Sequence, residues 1–149
     1  MNISRIDHIN IVVADLEAAK QYFIRLGLVV GAERELSGDW IDKTVGLKDV
    51  RARFASLQIP GAETVVELLS YDNPVGKTDL LIGNANQIGF RHIAFCVDNI
   101  DEWYGKLVDL GVECYSEVQE VPNYRGKKIV YFKGPEGIIL ELAEYPNES

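Results

Sequence analysis

Along Arg5-Ile6-Asp7-His8-Ile9-Asn10-Ile11-Val12-Val13, Ile9, Ile11 and Val13 fall on one side of an extended chain, and Ile6, His8, Asn10 and Val12 on the other. Successive strand residues point to opposite faces, so this predicts a strand with one wholly apolar face and a polar group at mid-strand. The pattern returns at Phe90-Arg91-His92-Ile93-Ala94-Phe95-Cys96-Val97. After each copy the period changes from two to helical. Leu16, Ala19, Phe23 and Leu26 form one apolar stripe ended by Gly27, and Ile100, Trp103, Leu107, Leu110 and Gly111 repeat it 84 positions later, the same offset as His8 to His92. Asp15 is placed to cap the first helix and Gly27 to close it.

The repeat extends through the rest of the chain. Leu28 to Glu35 reads as a strand, and Ser37 to Val50, broken by Gly38 and Gly46, as a long loop or short helix. Arg53 to Ile59 and Thr64 to Tyr71 read as strands joined by the Pro60-Gly61 turn. In the second half, strands are predicted at Val112 to Val118, Lys128 to Lys133 and Ile138 to Tyr145, the last two joined by Gly134-Pro135-Glu136-Gly137. Val66-Glu67-Leu68 with Tyr71 matches Leu140-Glu141-Leu142 with Tyr145, 74 positions on. The expected fold class is α+β: two tandem β-α-β-β-β modules, residues 1–72 and 89–149 with a Gly-, Asn- and Pro-containing linker at 73–88. Together they would form a single domain around a curved eight-stranded mixed sheet with helices on its convex face.

Composition narrows the partners. With 23 acidic against 15 basic residues among 149, the formal charge is −8, which repels phosphate backbones and anionic bilayers, so neither nucleic acid nor membrane is expected as a partner. No apolar run is long enough to span a bilayer and the N-terminus lacks a secretory pattern, so a cytoplasmic location is expected. Cys96 and Cys114, the two cysteines, have no metal-ligand spacing and read as reduced structural thiols.

The candidate chemistry lies on the polar strand faces. His8 and His92 are the only histidines, and they occupy equivalent sites of the repeat. Glu67 and Glu141 form a second equivalent pair, each in the middle of an apolar strand where a carboxylate is rarely buried unless paired or metal-bound. A single strand histidine is more often a packed core residue, and a single strand glutamate a solvated one. Two coincident pairs change that balance, because imidazole plus carboxylate suits a divalent first-row metal. Asn10, Trp40 and Tyr71 could either contact a ligand or pack. Trp40, with Arg125 and Lys127 in the second-module loop, is a candidate contact for an acidic small-molecule substrate.

The repeated unit, with Asp7-His8-Ile9, Arg91-His92-Ile93-Ala94-Phe95, Gly134-Pro135-Glu136-Gly137 and Leu140-Glu141-Leu142, resembles the vicinal-oxygen-chelate superfamily. That superfamily includes glyoxalase I, methylmalonyl-CoA epimerase, extradiol dioxygenases and fosfomycin or bleomycin resistance proteins. The resemblance covers nearly the whole chain. It implies that His8, Glu67, His92 and Glu141 ligate one divalent ion (Ni, Co, Zn, Mn or Fe), in a pattern similar to bacterial glyoxalase I. It also implies a lyase or isomerase that moves a proton through a metal-chelated enediolate, with Glu141 or Glu67 as the base. Glu67 is followed by Leu68-Leu69-Ser70-Tyr71-Asp72-Asn73-Pro74 rather than the Thr and Asn-Trp-Gly-like run that helps glyoxalase I hold glutathione. The Glu-Leu-Leu segment resembles the epimerases more closely. These carry Gln at the second ligand and an acidic base in the first-module excursion, for which Asp42 is the nearest candidate. The alternatives are an iron dioxygenase using His8, His92 and Glu141, and a non-catalytic drug-binding resistance protein. A homodimer is expected.

Overall fold

The computed structural model describes residues 5–124 and 126–146. The chain divides into two compact units, Met1–Thr78 and Asp79–Ser149. The first contains β1 (His8–Val12), α1 (Leu16–Arg25), β2 (Val29–Ser37), α2 (Asp39–Val45), β3 (Arg51–Gln58) and β4 (Val65–Asn73). The second contains β5 (His92–Cys96), α3 (Ile100–Asp109), β6 (Gln119–Glu120), β7 (Lys128–Lys133) and β8 (Ile139–Glu144).

Each unit holds one four-stranded mixed sheet. The orders are β1-β4-β3-β2 and β5-β8-β7-β6, so the two modules have the same plan. In both, the module's first strand pairs parallel with its last, and the remaining pairs are antiparallel. A parallel pair needs a crossover, and here the connection between its two strands includes the module's first helix.

The cores follow the two periodicities of the sequence. Ile11, Val13, Leu16, Ala19, Phe23, Val66 and Leu68 are buried in the first unit, and Ile93, Ile100, Leu107, Val130, Phe132, Leu140 and Leu142 in the second. Helix α1 packs on β3 and β4, and α3 on β7 and β8. Both helices start on a side-chain cap: the Ala18 amide donates to Asp15 Oδ1 at 2.9 Å, and the Glu102 amide to Asn99 Oδ1 at 3.1 Å. Both are followed by a glycine at positive φ, Gly27 at 97° and Gly111 at 70°, a conformation that costs residues with a Cβ.

Two expectations are corrected, and the alternative left open at Ser37 to Val50 resolves to a short helix. The Ser37 to Val50 excursion contains α2, whose buried Ile41 packs with Val50 and Ala52, and Tyr71 packs against that cluster. The histidines are the first residues of β1 and β5 rather than mid-strand. The strand expected at Val112 to Val118 is reduced to a bridge between Cys114 and Phe132, followed by the two-residue β6. The cause is local competition for the backbone. Ser116 Oγ and Gln119 Nε2 both donate to the Glu117 carbonyl, at 2.8 and 3.0 Å, and turn the chain away from the ladder.

Candidate metal centre

In the first unit the parallel register sets Asn10 beside Glu67 and His8 beside Val65. Glu67 therefore lies two residues further along β4 than the position paired with His8, and both side chains share the face away from α1. His8 Nε2 lies 3.5 Å from Glu67 Oε2. The second unit repeats this. Ala94 lies beside Glu141 and His92 beside Ile139, and His92 Nε2 is 2.9 Å from Glu141 Oε2.

The two half-sites differ in surroundings. Glu141 is buried with 7 % exposure, whereas the Glu67 side chain keeps 24 %. On the far side of its ring, His8 Nδ1 is 3.1 Å from Asp7 Oδ2. That contact, and after it the Arg5 guanidinium, holds the Asp7 carboxyl below the usual aspartate range. A carboxylate on the remote imidazole nitrogen is the arrangement that fixes a metal-ligating histidine's tautomer. In the second half-site the His92 ring lies against Tyr131, with centroids 5.0 Å apart, and Tyr131 pairs across β7 and β8 with Glu141. Burial, and then the Glu141 charge, push the Tyr131 phenol up.

Each pair suits two adjacent positions of a metal shell. Donors bound at about 2.1 Å and at right angles lie roughly 3 Å apart, and the observed separations of 2.9 and 3.5 Å bracket that value. Among the described residues the structure groups these donors in pairs, and no three or more His, Cys, Asp or Glu side chains are placed so that together they could hold a metal ion.

The other predicted residues are placed as follows. Trp40 lies in α2 and is 58 % exposed. Lys127 precedes β7, its Nζ 4.8 Å from the Tyr145 ring centroid and 5.3 Å from that of Tyr124. A hydrogen bond with Tyr145 leads the causes that hold the Lys127 ammonium above the ordinary lysine range, and the Glu141 charge adds to it. Arg125 lies outside the described residues. Asp42 uses both carboxylate oxygens to accept backbone amides, from Val50 at 2.8 Å and Asp49 at 2.9 Å, and so fastens the end of α2. Sequence reasoning missed Tyr131 as a neighbour of the half-site. The alternation of β7 was the available signal, since buried Val130 and Phe132 leave Tyr131 on the other face.

Two sheets of the same order, each built on a β-α-β-β-β unit with an imidazole–carboxylate pair on the face away from its helix, define a duplicated-module fold. The chain belongs to the Glyoxalase/Bleomycin resistance protein/Dioxygenase superfamily, whose family model matches residues 5–142. It is 28 % identical over 147 residues to the Escherichia coli (strain K12) protein YaeR, covering 97 % of this chain and 98 % of YaeR. A glyoxalase family protein from Bacillus cereus has a similar structure, with a TM-score of 0.86, 28 % identity, and 97 % and 95 % of the two chains covered. The fosfomycin resistance protein FosX of Listeria monocytogenes, crystallised with Mn(II) and 1S,2S-dihydroxypropylphosphonic acid, shares the fold at a TM-score of 0.62 and 21 % identity, over 99 % of this chain and 97 % of its own. Membership supports a metal-dependent enzyme or a resistance-type function. Among the described residues no helix is long and apolar enough to cross a membrane.

Proposed function

We propose that this protein is a metal-dependent lyase or isomerase of the glyoxalase or epimerase type, with His8, Glu67, His92 and Glu141 as ligands of one divalent ion. The observation that carries this reading is the duplicated half-site, one imidazole and one carboxylate at the same register of the same parallel strand pair in both modules. When bound, a divalent ion supplies Lewis-acid stabilisation of charge developing on two substrate oxygens. The chain's own part is to move a proton at the adjacent carbon, and the carboxylates Glu141 and Glu67 are the groups for it. A carboxylate held by a metal would be a weak base, so the proton would go to whichever of the two is not so held. Lys127 faces the substrate as a cation for an acidic group, with Trp40 and Arg125 as further contacts, and the functional assembly is a homodimer.

Glu67 favours proton transfer over oxygen insertion. A fourth protein ligand fills a position that an iron dioxygenase leaves to substrate or O₂. The reading is tested by metal analysis of the wild type, His8→Ala and His92→Ala. Apoprotein reconstituted with Ni or Co, and separately with Fe(II), is then assayed with three substrates: a 2-oxoaldehyde hemithioacetal, a 2-methyl-branched acyl-CoA for solvent deuterium exchange, and a catechol for oxygen uptake. Isomerisation or exchange with a redox-silent ion is expected. Oxygen uptake that requires Fe(II), or equal metal content in all three proteins, would overturn the proposal.

A further inference from the structure

The segment 79–91 opens the second unit as a run of turns. The amides of Ile82, Asn84 and Gln87 donate to the carbonyls of Asp79, Leu81 and Asn84, and the Leu81 amide to Asp79 Oδ1. Its own apolar side chains do little to seal it down, since Leu80, Ile88 and Phe90 are all more than 70 % exposed. Polar contacts hold it instead. The Tyr115 hydroxyl donates to the Gly83 carbonyl at 2.6 Å. Within the segment itself, Arg91 Nη1 donates to the carbonyls of Asn84 and Ile82 at 3.3 and 3.5 Å and folds its end back on its turns. Gly83 is fitted closely: a Cβ there would lie 3.1 Å from the Gly137 carbonyl and 3.2 Å from the Tyr115 hydroxyl.

The same tyrosine begins a short chain of contacts to the half-site. The Tyr115 ring meets Tyr131 edge-on with centroids 6.4 Å apart, and Tyr131 lies against His92 at 5.0 Å. The Tyr115 amide also donates to the Tyr131 carbonyl at 2.8 Å, so the two residues are joined through the backbone as well as through their rings. His92 in turn is 2.9 Å from Glu141.

We infer that Tyr115 is a positioning residue for the His92–Glu141 pair, and that it ties the placement of the 79–91 strap to the orientation of the His92 imidazole through the Tyr131 ring. The inference rests on the metal reading above for its consequence, which is metal affinity. Groups that orient a ligating histidine normally change metal affinity 10- to 100-fold when removed. Tyr115 stands one contact further out, so about three- to tenfold is expected. Coupling of this kind is reciprocal, and metal binding must tighten the strap by the same factor.

The test uses the intact chain with Co(II) as the probe. Tyr115→Phe keeps the ring and loses the hydrogen bond to Gly83, while Gly83→Ala crowds the same contact, its Cβ falling against the Tyr115 hydroxyl and the Gly137 carbonyl. Both are expected to weaken Co(II) binding about three- to tenfold in protein that still unfolds in one cooperative transition. In the wild type, Co(II) should slow hydrogen exchange at the Ile82, Asn84 and Gln87 amides, and Tyr131→Leu should abolish that protection. Unchanged Co(II) affinity in Tyr115→Phe and Gly83→Ala, or strap exchange that ignores the ion, overturns the inference. If the wild type binds no Co(II), the metal reading fails, and the metal-free protein then decides this inference. A shift of the His92 ring resonances in Tyr115→Phe upholds it, and identical resonances overturn it.

Discussion

Side chains with charge set the sharpest expectations at the scale of single residues. Asp42 accepts two backbone amides, and hydrogen bonds to an ionised group each contribute roughly 1.5–3 kcal/mol, less where water competes. Asp42→Ala is therefore expected to cost about 2 kcal/mol in denaturant unfolding, a loss that a general base free in solution would not produce. Lys20 lies on α1 with only 10 % of its side chain exposed, between Glu17 at 2.7 Å and Glu33. Its hydrogen bonds to Glu17 and then Glu33 raise its pKa above the ordinary 10.5. A raised lysine contributes stability that is fully present below the unfolded value and lost as pH climbs through the folded one. The melting difference between wild type and Lys20→Met should thus be flat through neutral pH and shrink only above about pH 10.5. A difference that vanishes already at pH 8 would mean that the ion pairs contribute nothing. The polar face holding His8 and Glu67 was legible from alternation alone. Burial of Lys20 was not, because it depends on where β2 places Glu33, a pairing no local pattern encodes.

At the scale of elements, the duplication makes paired predictions possible. Phe23 and Leu107 occupy equivalent helical sites, and both are fully buried. Truncation to alanine leaves a cavity costing about 3–5 kcal/mol for Phe and 2–5 for Leu, so Phe23→Ala and Leu107→Ala should both be severely destabilised by urea titration. The caps Asp15 and Asn99 are equivalent too, and each should cost about 1 kcal/mol as alanine. Elements with strong periodicity were legible to within a few residues: α1, α3, β7 and the closing strands of both modules. The missing 112–118 strand was not, since its apolar and polar residues alternate acceptably. The side chains of Ser116 and Gln119, both bonded to the Glu117 carbonyl, turn the chain where the ladder would continue. Helix α2 was legible only as one of two alternatives, a long loop or a short helix. Seven residues give too short a window for period, and the helix is fixed by packing Ile41 on Val50 and Ala52.

For the whole molecule, the proposed ion links function to stability. A ligand that binds only the folded state stabilises it by RT ln(1 + [L]/Kd), about 2.7 kcal/mol at a hundredfold excess over Kd. In a chain of 149 residues, 1 kcal/mol corresponds to roughly 2–4 °C in Tm. Stripping the ion with EDTA should then lower the melting temperature of metal-loaded protein by roughly 5–10 °C, and adding back Co or Ni should restore it. The decisive comparison uses one histidine from each module. If a single ion is ligated by residues of both, His8→Ala and His92→Ala each remove the EDTA effect. If chelator sensitivity survives in one variant and not the other, the half-sites act separately and the four-ligand proposal fails. If it survives in both, the ion that EDTA removes is held elsewhere.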